Sequence, residues 1–405
     1  MSHVEEKAAP AGSFLTPLWS TVLRGWADRI VAGQLTLQFP DGTSHVAHGA
    51  LPGPSASMTV RSSKLIWRIA SSGSLGLARG YIEGDWDTSD LGALLELGVV
   101  NEAALRPLLE APGLGRALAT LRHRLRANTR AGSKRNIAFH YDLGNDFYRH
   151  WLDETMTYSA AIFARPEQSL AEAQREKYAR VVRELRLGAE DHVLEIGCGW
   201  GGFAAFAARE TGCRVTCLTL SREQAKFASD RIAAAGLADR VEIRLEDYRD
   251  CAGQFDKIVS IEMFEAVGEE NWPTYFSALR TLLKPGGQAL LQVITIADAR
   301  FEAYRRKADF IQTYVFPGGM LPSPTAFAAA ASAARLDLVG SEFFGGDYER
   351  TLLIWDRAFA AAWHRIEALG FDARFKRMWR YYLQYCAVGF RTGTIDVGQF
   401  LLARD

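Results

Sequence analysis

The chain of 405 residues lacks any excess of charge of one sign: 47 lysines and arginines stand against 47 aspartates and glutamates. A protein that tracks nucleic-acid phosphates carries a basic surplus, so no nucleic-acid partner is expected. No apolar run approaches the roughly 18 residues that a membrane-spanning helix needs. The opening MSHVEEKAAPAG is polar and acidic, unlike a secretory signal. Cysteine is scarce. Cys198, Cys213, Cys217, Cys251 and Cys386 are scattered, and no pair has metal-ligand spacing. Free thiols in a reducing cytoplasm are therefore expected, and no metal site. Internal repeats are absent too. What is there is apolar matter for a real core, 48% of the chain, and length for one large domain or two ordinary ones.

One stretch organises the rest: HVLEIGCGWGGFAAFAA, His192 to Ala208. It reads as an apolar strand (Val193 to Ile196), a turn holding Gly197, Gly199, Gly201 and Gly202, and a helix. Glycines there permit positive φ and leave no Cβ in a ligand's way, and the helix start offers free N–H groups. By itself such a turn also fits a bend with no ligand. A second strand follows, Arg214 to Leu220, at βαβ distance. A dinucleotide site would show an acid at its end, about 20 residues past the glycines. Thr219, Leu220 and Ser221 stand there instead. That disfavours NAD and leaves S-adenosylmethionine as the better candidate.

Residues 1–128 read as a separate unit: a helix in Leu18–Ala32, strands at Gln34–Phe39 and near Met58–Val60 with a Pro40-Asp41-Gly42 turn, a glycine-broken aromatic stretch at Leu75–Trp86, and helices at Leu91–Val100 and Ala103–Leu109. A basic run follows (Arg116, Arg122, Arg124, Arg126, Arg130, Lys134, Arg135), either a solvated face or linker or a contact for anionic headgroups. Residues 136–163, dense in aromatics, suit a functional lid better than an ordinary loop. After a helix at Glu172–Leu185, strands at His192–Ile196, Arg214–Leu220, Val241–Leu245, Phe255–Ile261 and Gln288–Thr295 alternate with helices, including Arg222–Ala235 and Trp272–Leu283. This predicts a doubly wound α/β sheet. The runs Leu336–Phe343 and Thr351–Trp355 predict a closing antiparallel hairpin. Helices follow at Ala358–Leu369 and Phe375–Phe390, the second with a packing stripe of Trp379, Tyr381, Tyr382 and Tyr385.

Seven strings then point one way: HYDLGNDFY (140–148), MTYSAAIF (156–163), VLEIGCGWGGFA (193–204), LTLSREQ (218–224), EDYRD (246–250), FDKIVSIEMFEAVG (255–268) and YVFPGGMLPS (314–323). Together they resemble the cyclopropane-fatty-acyl-phospholipid synthase family of S-adenosylmethionine-dependent methyltransferases, related to the mycolic acid enzymes. The likeness spans residues 136–391, and the extra N-terminal unit resembles the longer phospholipid-acting members. It implies a Rossmann-like methyltransferase domain over 129–405, behind a lipid- or membrane-associating unit with its basic linker over 1–128. It places Tyr158 and Ser159 at the methionine end of the cofactor and Glu195, Gly197, Gly199, Gly201 and Gly202 in the glycine loop, with glutamate for the usual aspartate. Thr219, Leu220, Ser221 and Gln224 fall at the ribose, and Tyr248 and Arg249 beside the adenine. The longer members are often homodimers, acting on unsaturated phospholipid from the inner face of the membrane.

A cis double bond attacks only a strong electrophile held in line. Methyl transfer leaves a carbocation, which a dry aromatic pocket shelters. A base then removes a proton: from the new methyl to close a cyclopropane, or from a neighbouring carbon to leave a methyl-branched olefin or methylene. In the family that base is thought to be bicarbonate, held by a cysteine, a glutamate, a histidine, a backbone group and a tyrosine. Here Glu265, Ile294 and Tyr348 match, but Ala160 stands at the cysteine, Gln292 at the histidine, and Ala266 where a histidine usually follows the glutamate. Glu262 is an added carboxylate where the family has a small residue. The expectation is that bicarbonate is lost or bound differently, that Glu262 or Glu265 takes the proton, and that the product is not the ring. Glu262 pairing with a nearby arginine is the plainer alternative. Competing readings are a true cyclopropane synthase with replacement ligands, a methyltransferase of a small soluble acceptor, and a lipid-binding protein with a vestigial fold.

Overall fold

The computed structural model describes residues 18–109 and 143–405, which fall in two compact units. The expected boundary at 128, the basic run and the lid residues before 143 lie outside the described residues.

The first unit begins with α1 (Leu18–Ala27) and is built on a four-stranded sheet, β1 (Ala32–Gln38), β2 (Ser44–His48), β3 (Leu51–Val60) and β4 (Trp86–Asp87), in the order β2-β1-β3-β4. The expected turn is there: the Asp41 carboxylate accepts from the Thr43 N–H at 2.9 Å and its hydroxyl at 2.7 Å. The glycine-broken stretch at Leu75–Trp86 divides between the C-terminal part of α2 (Lys64–Ile82) and the turn into β4, and the break in the helix falls earlier, at Gly73, where φ 57 and ψ −129 suit only glycine. Helices α3 (Leu91–Val100) and α4 (Glu102–Leu109) follow. Between them, buried Asn101 ties the helices to the sheet. Its Oδ1 accepts from the Val31 and Ala32 N–H groups at 2.7 and 2.9 Å, and its amide donates to the carbonyls of Ala32 and Leu97 at 2.9 Å each.

The second unit opens with α5 (Asn145–Arg149) and α6 (Leu170–Leu185). Its seven-stranded sheet has the order β10-β11-β9-β8-β5-β6-β7. Strands β5 (His192–Ile196), β6 (Arg214–Thr219), β7 (Val241–Leu245), β8 (Phe255–Ile261) and β9 (Leu283–Ile296) run parallel. Helices α7 (Gly202–Thr211), α8 (Arg222–Ala234) and α9 (Trp272–Leu282) cross between them, and two apolar clusters flank the sheet. This is the doubly wound, Rossmann-like arrangement expected. The chain turns both ways from β5, so the carboxyl ends of β5 and β6 open on the crevice where such folds bind ligands.

Beyond β9 come α10 (Asp298–Tyr304), α11 (Pro324–Ala333), β10 (Asp337–Phe343), α12 (Gly345–Ala361), α13 (Trp363–Ala368), α14 (Ala373–Arg391) and β11 (Ile395–Ala403). The expected hairpin is wrong. Thr351–Trp355 lies inside α12, whose buried Tyr348, Thr351, Leu352, Trp355 and Phe359 recur at helical spacing. A five-residue apolar run does not reveal its period. The antiparallel partner of β10 is β11, more than fifty residues along, which also pairs antiparallel with β9.

Candidate active site

Five segments line one cleft at the carboxyl ends of the parallel strands, four of them at the cofactor end and the fifth the turn after β8 that carries Glu262. The first is the glycine loop, with φ +82 at Gly197, +53 at Gly199 and +77 at Gly201. A Cβ on Gly202 would come within 2.7 Å of the Tyr178 hydroxyl, so only glycine lets α7 start this close to α6. Behind the loop Glu195 is buried. The Cys217 thiol donates to it at 3.6 Å, as does the Ala204 N–H, and burial pushes its carboxyl up to about 8. It braces the loop against α7.

The second segment leaves β6. Ser221 caps α8, accepting from the Gln224 N–H at 3.2 Å, and the Thr219 hydroxyl donates to Gln224 Oε1 at 3.0 Å. The third follows β7: the Arg249 guanidinium forks onto the Asp247 carboxylate at 2.8 and 2.6 Å, and the Tyr248 ring packs 5.2 Å from Tyr275. The fourth is residues 156–160. The Tyr158 and Tyr382 hydroxyls are 2.8 Å apart, and the Tyr158 ring packs on Tyr148, Trp151 and Trp355. Every residue expected at the cofactor lines this cleft except Gly201 and Ser221, which shape the loop and cap α8.

The acid–base end adjoins it. Glu262 follows β8 with left-handed backbone, φ +51. Its Oε1 accepts from the Ala160 N–H at 2.8 Å and the Gln292 amide at 2.7 Å, and its Oε2 accepts from the Tyr348 hydroxyl at 2.6 Å. No arginine is among these partners, so the arginine-paired reading of Glu262 does not hold. Burial raises its carboxyl above the ordinary value, while Tyr348, Lys177, Ala160 and Gln292 hold it back. Gln292 is itself oriented by Gln399 of β11, whose amide donates to it at 3.1 Å. Glu265 accepts the Ile294 N–H at 2.6 Å through one oxygen, and its other oxygen is buried with no partner among the described residues. Burial first, then the charge of Glu262, pushes it up to about 8. Two carboxyls thus differ in role: Glu262 has three donors suited to an anion, and Glu265 is suited to carry a proton.

Two contributors escaped the sequence reading. Gln399 lies on the strand that was missed. Lys177 lies on α6, whose buried stripe of Leu170, Ala173, Gln174, Lys177, Tyr178, Val181 and Leu185 places it inward. A charge on an apolar stripe was the available signal.

The family model for mycolic acid cyclopropane synthetase matches residues 128–400. The chain is 41% identical to the tuberculostearic acid methyltransferase of Mycobacterium tuberculosis, over 92% of this chain and 88% of that one. It is 36% identical to the cyclopropane-fatty-acyl-phospholipid synthase of Escherichia coli, over 86% and 88%. Among solved structures, a mycolic acid cyclopropane synthase complexed with SAH and CTAB superposes with a TM-score of 0.63 at 33% identity, covering 67% of this chain and 98% of that one.

Proposed function

The chain belongs to the mycolic acid cyclopropane synthetase family of S-adenosylmethionine-dependent methyltransferases, and from that premise we propose that it methylates the double bond of an unsaturated fatty-acyl chain in membrane phospholipid to give a methyl-branched or methylated unsaturated chain. The relatives named above support a lipid acceptor. The cleft suits the cofactor by its chemistry: a glycine loop with no Cβ to obstruct, the Thr219–Gln224 pair for ribose hydroxyls, and Tyr248 with Arg249 for the adenine.

When bound, S-adenosylmethionine supplies an electrophilic methyl group. The residues around it do the rest. Tyr158 lines the cleft with an aromatic face that favours positive charge, and buried Trp151 and Trp355 pack against its ring and keep water from behind it. Transfer of that methyl to one alkene carbon would leave cationic charge on the adjacent carbon. Glu262 then takes a proton from a carbon beside the cation, and the freed electron pair becomes a double bond. Tyr348, Gln292 and the Ala160 N–H hold that carboxylate for the task.

The observation that carries this reading is where the donors go. At the positions that the resemblance assigns to bicarbonate, Ala160, Gln292 and Tyr348 all donate to Glu262, and the Ile294 N–H donates to Glu265. A free bicarbonate does not fit beside two protein carboxyls that have taken those donors. Lipids from cells expressing the protein, labelled through methionine and analysed by mass spectrometry, test the product. A labelled chain that takes up hydrogen on catalytic reduction is expected. A saturated ring that resists mild hydrogenation would instead identify a cyclopropane synthase.

A further inference from the structure

Lys177 occupies a place where stability alone would put leucine or methionine. It lies on the buried stripe of α6 and is 0% exposed. Its ammonium donates to Ser159 Oγ at 2.6 Å and Gln174 Oε1 at 2.7 Å, both neutral acceptors. Burying a cation on such terms is costly unless something else needs the charge. The Gln174 amide also donates to the Ser159 carbonyl at 2.8 Å. Residue 159 is therefore gripped by side chain and backbone from α6. The next N–H along the chain, that of Ala160, donates to Glu262.

We propose that Lys177 is a positioning residue of the methyl-transfer reaction, whose charge, together with its grip on Ser159 and so on the Ala160 N–H, keeps the Glu262 carboxylate ionised and aimed. The proposal rests on Glu262 being the proton acceptor. Lys177 faces Glu262 at the end of β8, Asp153 in the segment before residue 156, Glu195 on β5 and the Tyr178 ring at 4.8 Å. Asp153 Oδ2 accepts from the Thr155 N–H and hydroxyl while its Oδ1 is buried with no partner among the described residues, and Glu195 accepts from Cys217 and Ala204. Glu262 in turn faces Lys177 from α6, Tyr348 from α12, Gln292 from β9 and Glu265 from the turn that follows β8. Burial draws the lysine down to about 7, and the pull of Glu262 is the largest opposing influence. The same cation lowers Glu262.

The test is the pH dependence of kcat for the full chain on vesicles of cis-monounsaturated phosphatidylglycerol. Without the ammonium, Glu262 holds its proton to higher pH. Lys177→Met is expected to lower kcat about tenfold near neutrality and to move the acid limb upward by about one unit. Lys177→Arg keeps the limb in place, because the charge remains. Gln174→Leu removes one acceptor of the ammonium and moves the limb the same way by less, and it decides the matter if Lys177→Met does not fold. A limb that stays put in the Met and Leu variants, or one that moves as far in the Arg variant, overturns the proposal. Glu262→Gln is run in parallel. Full activity there removes the base and the proposal together, whereas an inactive Glu262→Gln beside an unmoved limb removes the proposal alone.

Discussion

Glutamine keeps the outline of glutamate and drops its charge, so Glu262→Gln isolates what the carboxylate does. A general base contributes about 10²–10⁴ in rate, and a fall in kcat of at least about 100-fold is expected, with S-adenosylmethionine affinity by calorimetry little changed. Glu262→Gly empties the space between the donors of Ala160, Gln292 and Tyr348. Added bicarbonate should then restore part of the lost turnover, and no recovery at any concentration would mean that those donors do not form an anion cradle. Glu265 gives a stability prediction. Its carboxyl moves from an ordinary 4.5 to about 8, so across that window the folded chain holds a proton that the unfolded chain has released. Stability therefore falls as pH rises from about 4.5 to about 8. Glu265→Gln should raise the melting temperature more at about pH 8 than at about pH 5; an equal shift at both would show that the residue does not titrate there. Glu262 was legible because EMFE places an extra acid where the family has a small residue, although sequence alone left arginine pairing open. Lys177 was not, because a single lysine in a charged helix is ordinary until its neighbours at three and four residues are known to be buried.

The parallel strands read well from sequence because β5, β6 and β8 carry compact apolar runs at βαβ spacing, while β9 starts earlier than expected, with Lys284-Pro285-Gly286-Gly287 inside the strand. The later elements read poorly because their partners are remote. Five apolar residues at Thr351–Trp355 serve a helix as well as a strand, and β11 has Gly398 at its centre and finds its neighbours only across the sheet. In the first unit α2 was hidden by its glycines. Asn101 likewise looks like a loop residue, yet its side chain makes four hydrogen bonds that join α3 and α4 to β1. Asn101→Ala leaves the part-buried N–H groups of Val31 and Ala32 without that acceptor. A loss of about 2–4 kcal/mol in denaturant unfolding of that unit is expected, and a loss below about 0.5 kcal/mol would mean that water replaces the side chain.

For the whole molecule, the proposed phospholipid substrate would require an encounter with a bilayer surface. Among the described residues no helix is long and apolar enough to cross a membrane. The basic run between residues 113 and 135, read from sequence as either a solvated linker or a headgroup contact, is one candidate for that encounter, and exposed Trp67, 77% accessible, is an apolar one in the first unit. With the chain neutral overall, attraction to lipid is local. Co-sedimentation with phosphatidylglycerol vesicles should be strong at low salt and largely lost near about 0.5 M, where screening is short-ranged; binding that ignores salt would shift the weight to Trp67. The left-handed backbone at Glu262 carries one more consequence. Glycine adopts that conformation freely, and glycine and glutamate codons differ at a single base. Under the proposed mechanism a Glu262→Gly change, one base away, would take out the proton acceptor and leave its place open to a small anion from solution.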